Sequence, residues 1–124
     1  MEKEQTKNSI ETHTIDAQGK RLGRVSSQAA VLLMGKHTPQ FAKNKVYPVQ
    51  VNIINASKAY ISTKKKETKE YASHSQHLGG INIKTLAHVI EFKGVSEVFR
   101  RAVLGMLPKN KLRSVMIKNL SVTE

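Results

Sequence analysis

The sequence predicts an α/β sandwich, and three observations carry that prediction. Strand-like and helix-like stretches alternate: a short strand, a helix, a second strand, then helices and a last strand. Val49 to Asn55 reads as a central strand. Its Val49, Val51 and Ile53 alternate, and Ile54 adds an apolar residue on the opposite side, as in a parallel strand covered on both faces. Finally, Val95, Val98, Phe99, Ala102, Val103 and Met106 recur at helical spacing and form one continuous apolar stripe. The 124 residues suit one domain with one modest core, and a hydrophobic content of 39% is enough to fill it.

Residues 1–11 read as a flexible leader, polar and slightly acidic, with Glu2, Glu4 and Glu11 against Lys3 and Lys7. Residues 12–124 form the domain. His13 to Ala17 is a short strand, and Asp16 to Lys20 a turn in which Gly19 can take a positive φ. A helix follows from Leu22 to Met34, with Leu22, Val25, Ala29, Leu32 and Leu33 on one face and Gly35 as its stop. Lys20, Arg21 and Arg24 crowd the start of that helix, where cations oppose the macrodipole. They therefore do not stabilise the helix, and two readings stand: a solvated charged face, or contact with phosphate. Lys36 and His37 lie beyond its end.

After the Val49–Asn55 strand, Ala59 to Ser62 reads as another short strand. The run Thr63 to Lys69 holds Lys64, Lys65, Lys66 and Lys69 against Glu67 and reads as a flexible loop, either laid along phosphates or merely solubilising. Tyr71 to Gly80 reads as a loop carrying His74 and His77. No Cys, Asp or Glu flanks these histidines at ligand spacing, and Gly79-Gly80 argues against a rigid helix, so contact with RNA by hydrogen bonding or stacking is expected there rather than zinc. Ile83, Leu86 and Ile90 give a helix face with Thr85 as N-cap, and Lys93-Gly94 ends it. The apolar helix 95–107 stops at Gly105 and Pro108, because proline lacks the N–H and restricts Leu107. A basic turn with Lys109, Lys111 and Arg113 follows, then a short helix marked by Leu112, Val115 and Met116, and a final strand from Leu120 to Thr123.

Val103-Leu104-Gly105-Met106-Leu107-Pro108, followed by a basic stretch, resembles the signature of the large-subunit ribosomal protein L13 family. Asp16-Ala17-Gln18-Gly19 running into Leu22-Gly23-Arg24-Val25 is similar to the family's first strand, turn and helix start. Gly35-Lys36-His37 matches its helix end, Ile53-Ile54-Asn55-Ala56 with Lys58 its second strand, and Tyr71, His74 and Gly79-Gly80 its Tyr, His and Gly-Gly elements. Departures occur where the family usually has Gly-Asp and this chain has Pro48-Val49, near Thr63, and at Gln76, where the family commonly has Gly. The resemblance covers roughly Ile15 to Val122. It implies a three-layer α/β/α fold with a small, mainly parallel sheet, and a role as a structural constituent of the large ribosomal subunit. Contacts made by the longer C-terminal tail common in the family are not expected.

Charge points the same way. Lys plus Arg number 21 and Asp plus Glu 9, a formal +12, and a folded domain this basic repels itself unless a polyanion neutralises it. The basic residues sit mostly on turns and helix ends. That distribution suits an irregular folded RNA better than one recognition helix in a groove, and aromatic residues, at 5%, are too scarce for single-strand stacking platforms. The expected contacts are Lys20, Arg21, Arg24, Lys36, His37, Lys64, Lys65, Lys66, Lys69, His74, His77, Lys109, Lys111 and Arg113. The expected partners are large-subunit ribosomal RNA and neighbouring ribosomal proteins. The alternative is a basic domain that binds DNA or RNA elsewhere, as a chromosome-associated or RNA-processing accessory.

An enzyme is not expected. The chain has no Gly-x-Gly-x-x-Gly, no Walker-type loop and no nucleophile elbow, and its scattered acids suggest no paired-carboxylate site. With no cysteine, thiolate zinc sites, disulfides and cysteine nucleophiles are excluded. No cofactor, metal or small-molecule substrate is expected. No apolar run approaches the ~20 residues needed to span a bilayer, and Met1 to Ile10 lacks the apolar core of a signal peptide, so a cytoplasmic location in the ribosome is expected.

Overall fold

Three parallel strands in the order β1-β2-β5 form the sheet on which the computed structural model is built, and it describes residues 9–124. Strand β1 is Glu11–Asp16, β2 is Val49–Ile54 and β5 is Leu120–Val122. Ile15 lies opposite Ile53 on one side of β2, and Leu120 and Val122 lie opposite Val51 and Ile53 on the other. Between β1 and β2 runs helix α1, Leu22–Met34. Between β2 and β5 come α2 (Thr63–Thr68), the antiparallel hairpin β3 (Glu70–His74) and β4 (Ile81–Thr85), α3 (Leu86–Lys93), α4 (Val95–Met106) and α5 (Arg113–Ile117).

This topology decides which face of the sheet is covered. The strand order advances in one direction, so right-handed crossovers bring both connections onto the same face. Helices α1 and α4 accordingly pack directly against each other, and α1 lies on β1 and β2. The covered face carries Ile15, Val49, Val51 and Ile53, all buried. On the other face Thr12, Thr14, Asp16, Gln50 and Ser121 are exposed, and Asn52 and Ile54 are half-buried. The α/β class and the small, mainly parallel sheet are as expected. The described residues supply no helical layer on the second face of the sheet, where the sequence reading had β2 covered on both sides.

Local chemistry explains the elements. In α1 the buried residues Leu22, Val25, Ser26, Ala29, Ala30, Leu33 and Met34 repeat at three- and four-residue spacing, one stripe facing the sheet and α4. Gly35 ends the helix at φ 76°, with its own N–H donating to Leu32 O and that of Lys36 to Val31 O. A Cβ at Gly35 would run into the Tyr47 ring. In α4, Val98, Phe99 and Val103 are fully buried. Leu107 then turns extended (ψ 152°) ahead of Pro108, as its position before proline requires. Thr85 caps α3 by accepting from the His88 N–H at 3.3 Å.

Several sequence expectations need correction. Strand β1 starts at Glu11, inside the stretch read as leader, while residues 1–8 lie outside the described residues. Gly105 does not stop α4, which continues to Met106. Ala59 to Ser62 forms no strand; Ala56–Lys58 is a 3-10 turn, and Tyr60 makes only an isolated bridge with Arg21. The lysine run is helix α2 rather than a loop, because Ser62 accepts from the Lys65 N–H and Lys and Glu are good helix formers. Tyr71 to Gly80 is mostly one arm and the turn of a hairpin, and Ile83 sits in β4, 59% exposed, rather than on a helix face.

Candidate nucleic-acid interface

The N-terminus of α1 is a positive helix end flanked by cations. Arg21 is the N-cap residue, extended at φ −73° and ψ 139°, and no side chain caps the helix. The first turn contains no acid. The turn before it is fixed by backbone bonds: Gly19 N–H donates to Lys58 O at 3.1 Å and Tyr60 N–H to Lys20 O at 2.9 Å. These bonds hold Arg21 beside Tyr60, with its guanidinium 5.8 Å from the ring centroid. The positive helix end, Arg21 and Arg24 therefore share one place without a counter-charge from the helix itself, which is the electrostatic pattern of an anion site.

The fold brings a second set of cations to the same place. A cleft of about 400 Å³ at the start of α1 is lined by Arg21, Arg24, Tyr60, Ser62 and Lys65, among others. An adjoining cleft of about 320 Å³ is lined by Gly23, Lys65, Lys69, Tyr71, Arg101 and Gly105. Lys65 and Lys69 are four positions apart at the end and cap of α2, so both face α1. Arg101 is held on α4 by Glu97, whose Oε1 accepts from Nε at 3.0 Å, and its guanidinium stands 4.9 Å from the Tyr71 ring centroid. Lys69 Nζ lies 5.7 Å from the same centroid. Burial raises the Tyr71 hydroxyl pKa above its ordinary value of 10.0, with Arg101 pulling the other way, so the ring stays a neutral platform between two cations.

The remaining sequence-predicted residues fall elsewhere. Lys20 lines a third cleft with Arg21 and Arg24, on the flank of α1. Lys64 and Lys66 are on α2, the first exposed and the second half-buried. Lys36 and His37 follow the far end of α1, about 20 Å away by the helical rise. His74 ends β3 and His77 lies in the hairpin turn, its Nδ1 2.8 Å from Leu78 O; both are exposed. Lys109 and Lys111 are exposed on the turn after Pro108, and Arg113 opens α5 half-buried. Asn110 shapes that turn by accepting from the Leu112 N–H at 3.1 Å.

Sequence reasoning missed Tyr60, Tyr71 and Arg101 as members of the site. Arg101 lies off the apolar stripe of α4, and nothing in its neighbours along the chain announces the Tyr71 ring. Spacing gives no access to a cluster assembled from α1, α2, β3 and α4.

The pattern of clefts and cations can be set beside known proteins. The family model described as ribosomal protein L13 matches residues 10–124. The chain belongs to the ribosomal protein L13 family. Its relatives include the protein named large ribosomal subunit protein uL13 from Wolinella succinogenes, 44% identical over 108 residues, which cover 87% of this chain and 77% of that one. The protein of the same name from Persephonella marina is 43% identical over 112 residues, covering 90% and 74%. That from Helicobacter pylori strain P12 is 44% identical over 108 residues, covering 87% and 76%. Membership makes this chain a ribosomal protein and not an enzyme. Among the described residues, no helix is long and apolar enough to cross a membrane.

Proposed function

We propose that this L13-family chain is a structural constituent of the large ribosomal subunit that binds ribosomal RNA through several basic turns and helix ends and fixes the RNA elements relative to one another. The observation that carries the reading is the convergence of Arg21, Arg24, Lys65, Lys69 and Arg101 around the uncapped N-terminus of α1. The relatives' names supply the setting, the large ribosomal subunit. One RNA-binding domain spans residues 12–124. Lys20, Arg21, Arg24, Lys64, Lys65, Lys66 and Lys69 neutralise phosphates at one RNA element; Lys109, Lys111 and Arg113 serve a second, His74 and His77 on the hairpin a third, and Lys36 and His37 a fourth. Neighbouring ribosomal proteins complete the surroundings, and the protein works in the ribosome with no membrane and no small-molecule substrate.

The mechanism is electrostatic. Each phosphate neutralised releases condensed counterions, so affinity falls steeply with salt. The helix N-terminus contributes backbone donors that bulk lysines do not, and the two tyrosine-backed guanidiniums are partly ordered before binding. The test is binding to a large-subunit RNA fragment across a salt series. The double variant Arg24→Ala, Lys65→Ala is expected to lower the slope of log affinity against log salt by roughly 0.7–0.9 per lost phosphate contact. An unchanged slope removes the α1 cradle from the interface.

A further inference from the structure

At the opposite end of α1 from the cationic cradle, two histidines and a glutamate converge. Glu11 and His13 are two positions apart on β1 and so point to one face of the sheet, above Val49 and Val51 of the neighbouring strand. His37 arrives from the other side. The left-handed turn at Gly35 swings the chain off α1, and Thr38 locks that turn by donating both its N–H and its hydroxyl to Gly35 O, at 3.1 and 2.7 Å. As a result Glu11 Oε2 lies 3.2 Å from His37 Nε2 and 3.6 Å from His13 Nε2, with all three atoms within 4.8 Å of one another. The two rings meet edge to face at 5.2 Å.

One atom in this cluster is unexplained by the protein alone. His13 Nε2 is sealed from solvent and has no hydrogen-bond partner, since the Glu11 oxygen at 3.6 Å is out of reach. A buried polar nitrogen without a partner, aimed at a carboxylate and a second imidazole, is short of a ligand. The carboxylate is held in place on one side only, its Oε2 lying 3.2 Å from His37 Nε2 in a hydrogen bond.

We propose that Glu11 Oε2, His13 Nε2 and His37 Nε2 form a binding site for a divalent cation of the zinc type. Two imidazoles and one carboxylate are donors that zinc accepts, whereas magnesium and calcium take all-oxygen sets. Metal–ligand bonds of 2.0–2.2 Å place neighbouring ligand atoms of a tetrahedral site about 3.3–3.6 Å apart. Both Glu11–histidine distances already fall near that spacing, and the two histidine nitrogens lie within 4.8 Å of each other. Three protein ligands leave one position open to solvent, beside the exposed Glu11 carboxylate. The bound ion ties the first residue of the edge strand β1 to the connection after α1, adding to the Glu11–His37 hydrogen bond and to the backbone bond from Glu11 N–H to Pro48 O. His37 is shared with the proposed RNA contacts, so the site is tested on the chain free of RNA.

The test uses the full chain, free of RNA and stripped with a chelator. Zinc chloride is titrated calorimetrically, the thermal midpoint is followed with and without zinc, and cobalt(II) is added as a coloured probe of coordination. One equivalent of zinc, a raised midpoint, visible cobalt bands and no response to magnesium are expected. Glu11→Gln and His13→Phe are each expected to weaken zinc by about tenfold or more and to bleach the cobalt bands, while the double variant His74→Gln, His77→Gln on the hairpin binds as the parent does. Glu11→Gln alters an exposed side chain and so keeps the test valid even if His13→Phe fails to fold. The proposal is overturned if zinc does not saturate at one equivalent, if Glu11→Gln binds as tightly as the parent, or if the hairpin double variant loses the zinc instead. Each of these would leave a histidine–glutamate hydrogen-bonded cluster and nothing more.

Discussion

Asp16 shows how one side chain can close the end of a sheet. Its Oδ1 accepts from the Gln18 N–H and from Asn55 Nδ2, both at 3.0 Å, so it joins the end of β1 to the end of β2. Asn55 stands at φ 55°, a left-handed conformation that asparagine tolerates better than most residues. The bond from Gln18, then that from Asn55, lowers the Asp16 pKa below its ordinary 3.8. A carboxylate whose folded pKa is depressed stabilises the fold above its unfolded pKa and loses that contribution as pH falls through the folded value. Asp16→Asn is therefore expected to melt at lower denaturant than the parent at pH 7, with the gap closing below pH 4; a gap that persists in acid would show that the charge is not what matters. Phe99 acts instead by volume. It is fully buried on α4, and Phe99→Ala is expected to cost about 3–5 kcal/mol in a chemical melt. An unaltered midpoint would contradict its place in the core.

Capping governs the elements. Helix α2 is only six residues, and the like charges of Lys65 and its C-cap Lys69, four positions apart, oppose it. Its one side-chain cap is Ser62. Ser62→Ala is expected to cost about 0.5–2 kcal/mol and to melt α2 locally, read as faster amide exchange at Lys65 and Lys66 with slower regions elsewhere unchanged. Equal exchange in parent and variant would show that packing against α3 holds α2 instead. Helix α4 solves its start differently. Gly94 offers no side chain, and the Glu124 carboxylate reaches back to accept from the Ser96 N–H at 3.2 Å, placing a negative charge at the positive end of the helix. Glu124→Gln is expected to lower stability by about 0.3–1 kcal/mol at low ionic strength, an effect that salt erodes.

At the scale of the molecule, what could be read from the sequence was what local pattern encodes. The Val49–Ile54 strand, helices α1 and α4 and the break at Gly94 each rest on periodicity or on glycine and proline chemistry within a few residues. The hairpin was hidden because Ile83, Leu86 and Ile90 satisfy a helical spacing, and only the pairing of β4 with β3 removes Ile83 from it. The α2 helix was hidden because a lysine run looks solvated whatever backbone carries it. The covering of β2 on one face follows from strand order, which is a property of the whole topology. Cation positions along the chain were legible; their gathering with Tyr71 and Arg101 was not, and neither was the meeting of Glu11 with His37, 26 positions away. What unites these features is charge. The +12 chain displays its cations on helix ends, turns and a hairpin, and the proposed function has them meet several RNA surfaces at once. The most direct measurement is sedimentation of a lysate on a sucrose gradient, with the protein detected in every fraction before and after a wash at ~0.5 M salt, which strips loose electrostatic binders. Retention with large subunits and whole ribosomes through the wash is the expected result. Migration near the top, or release by salt, would contradict it and leave a general polyanion binder.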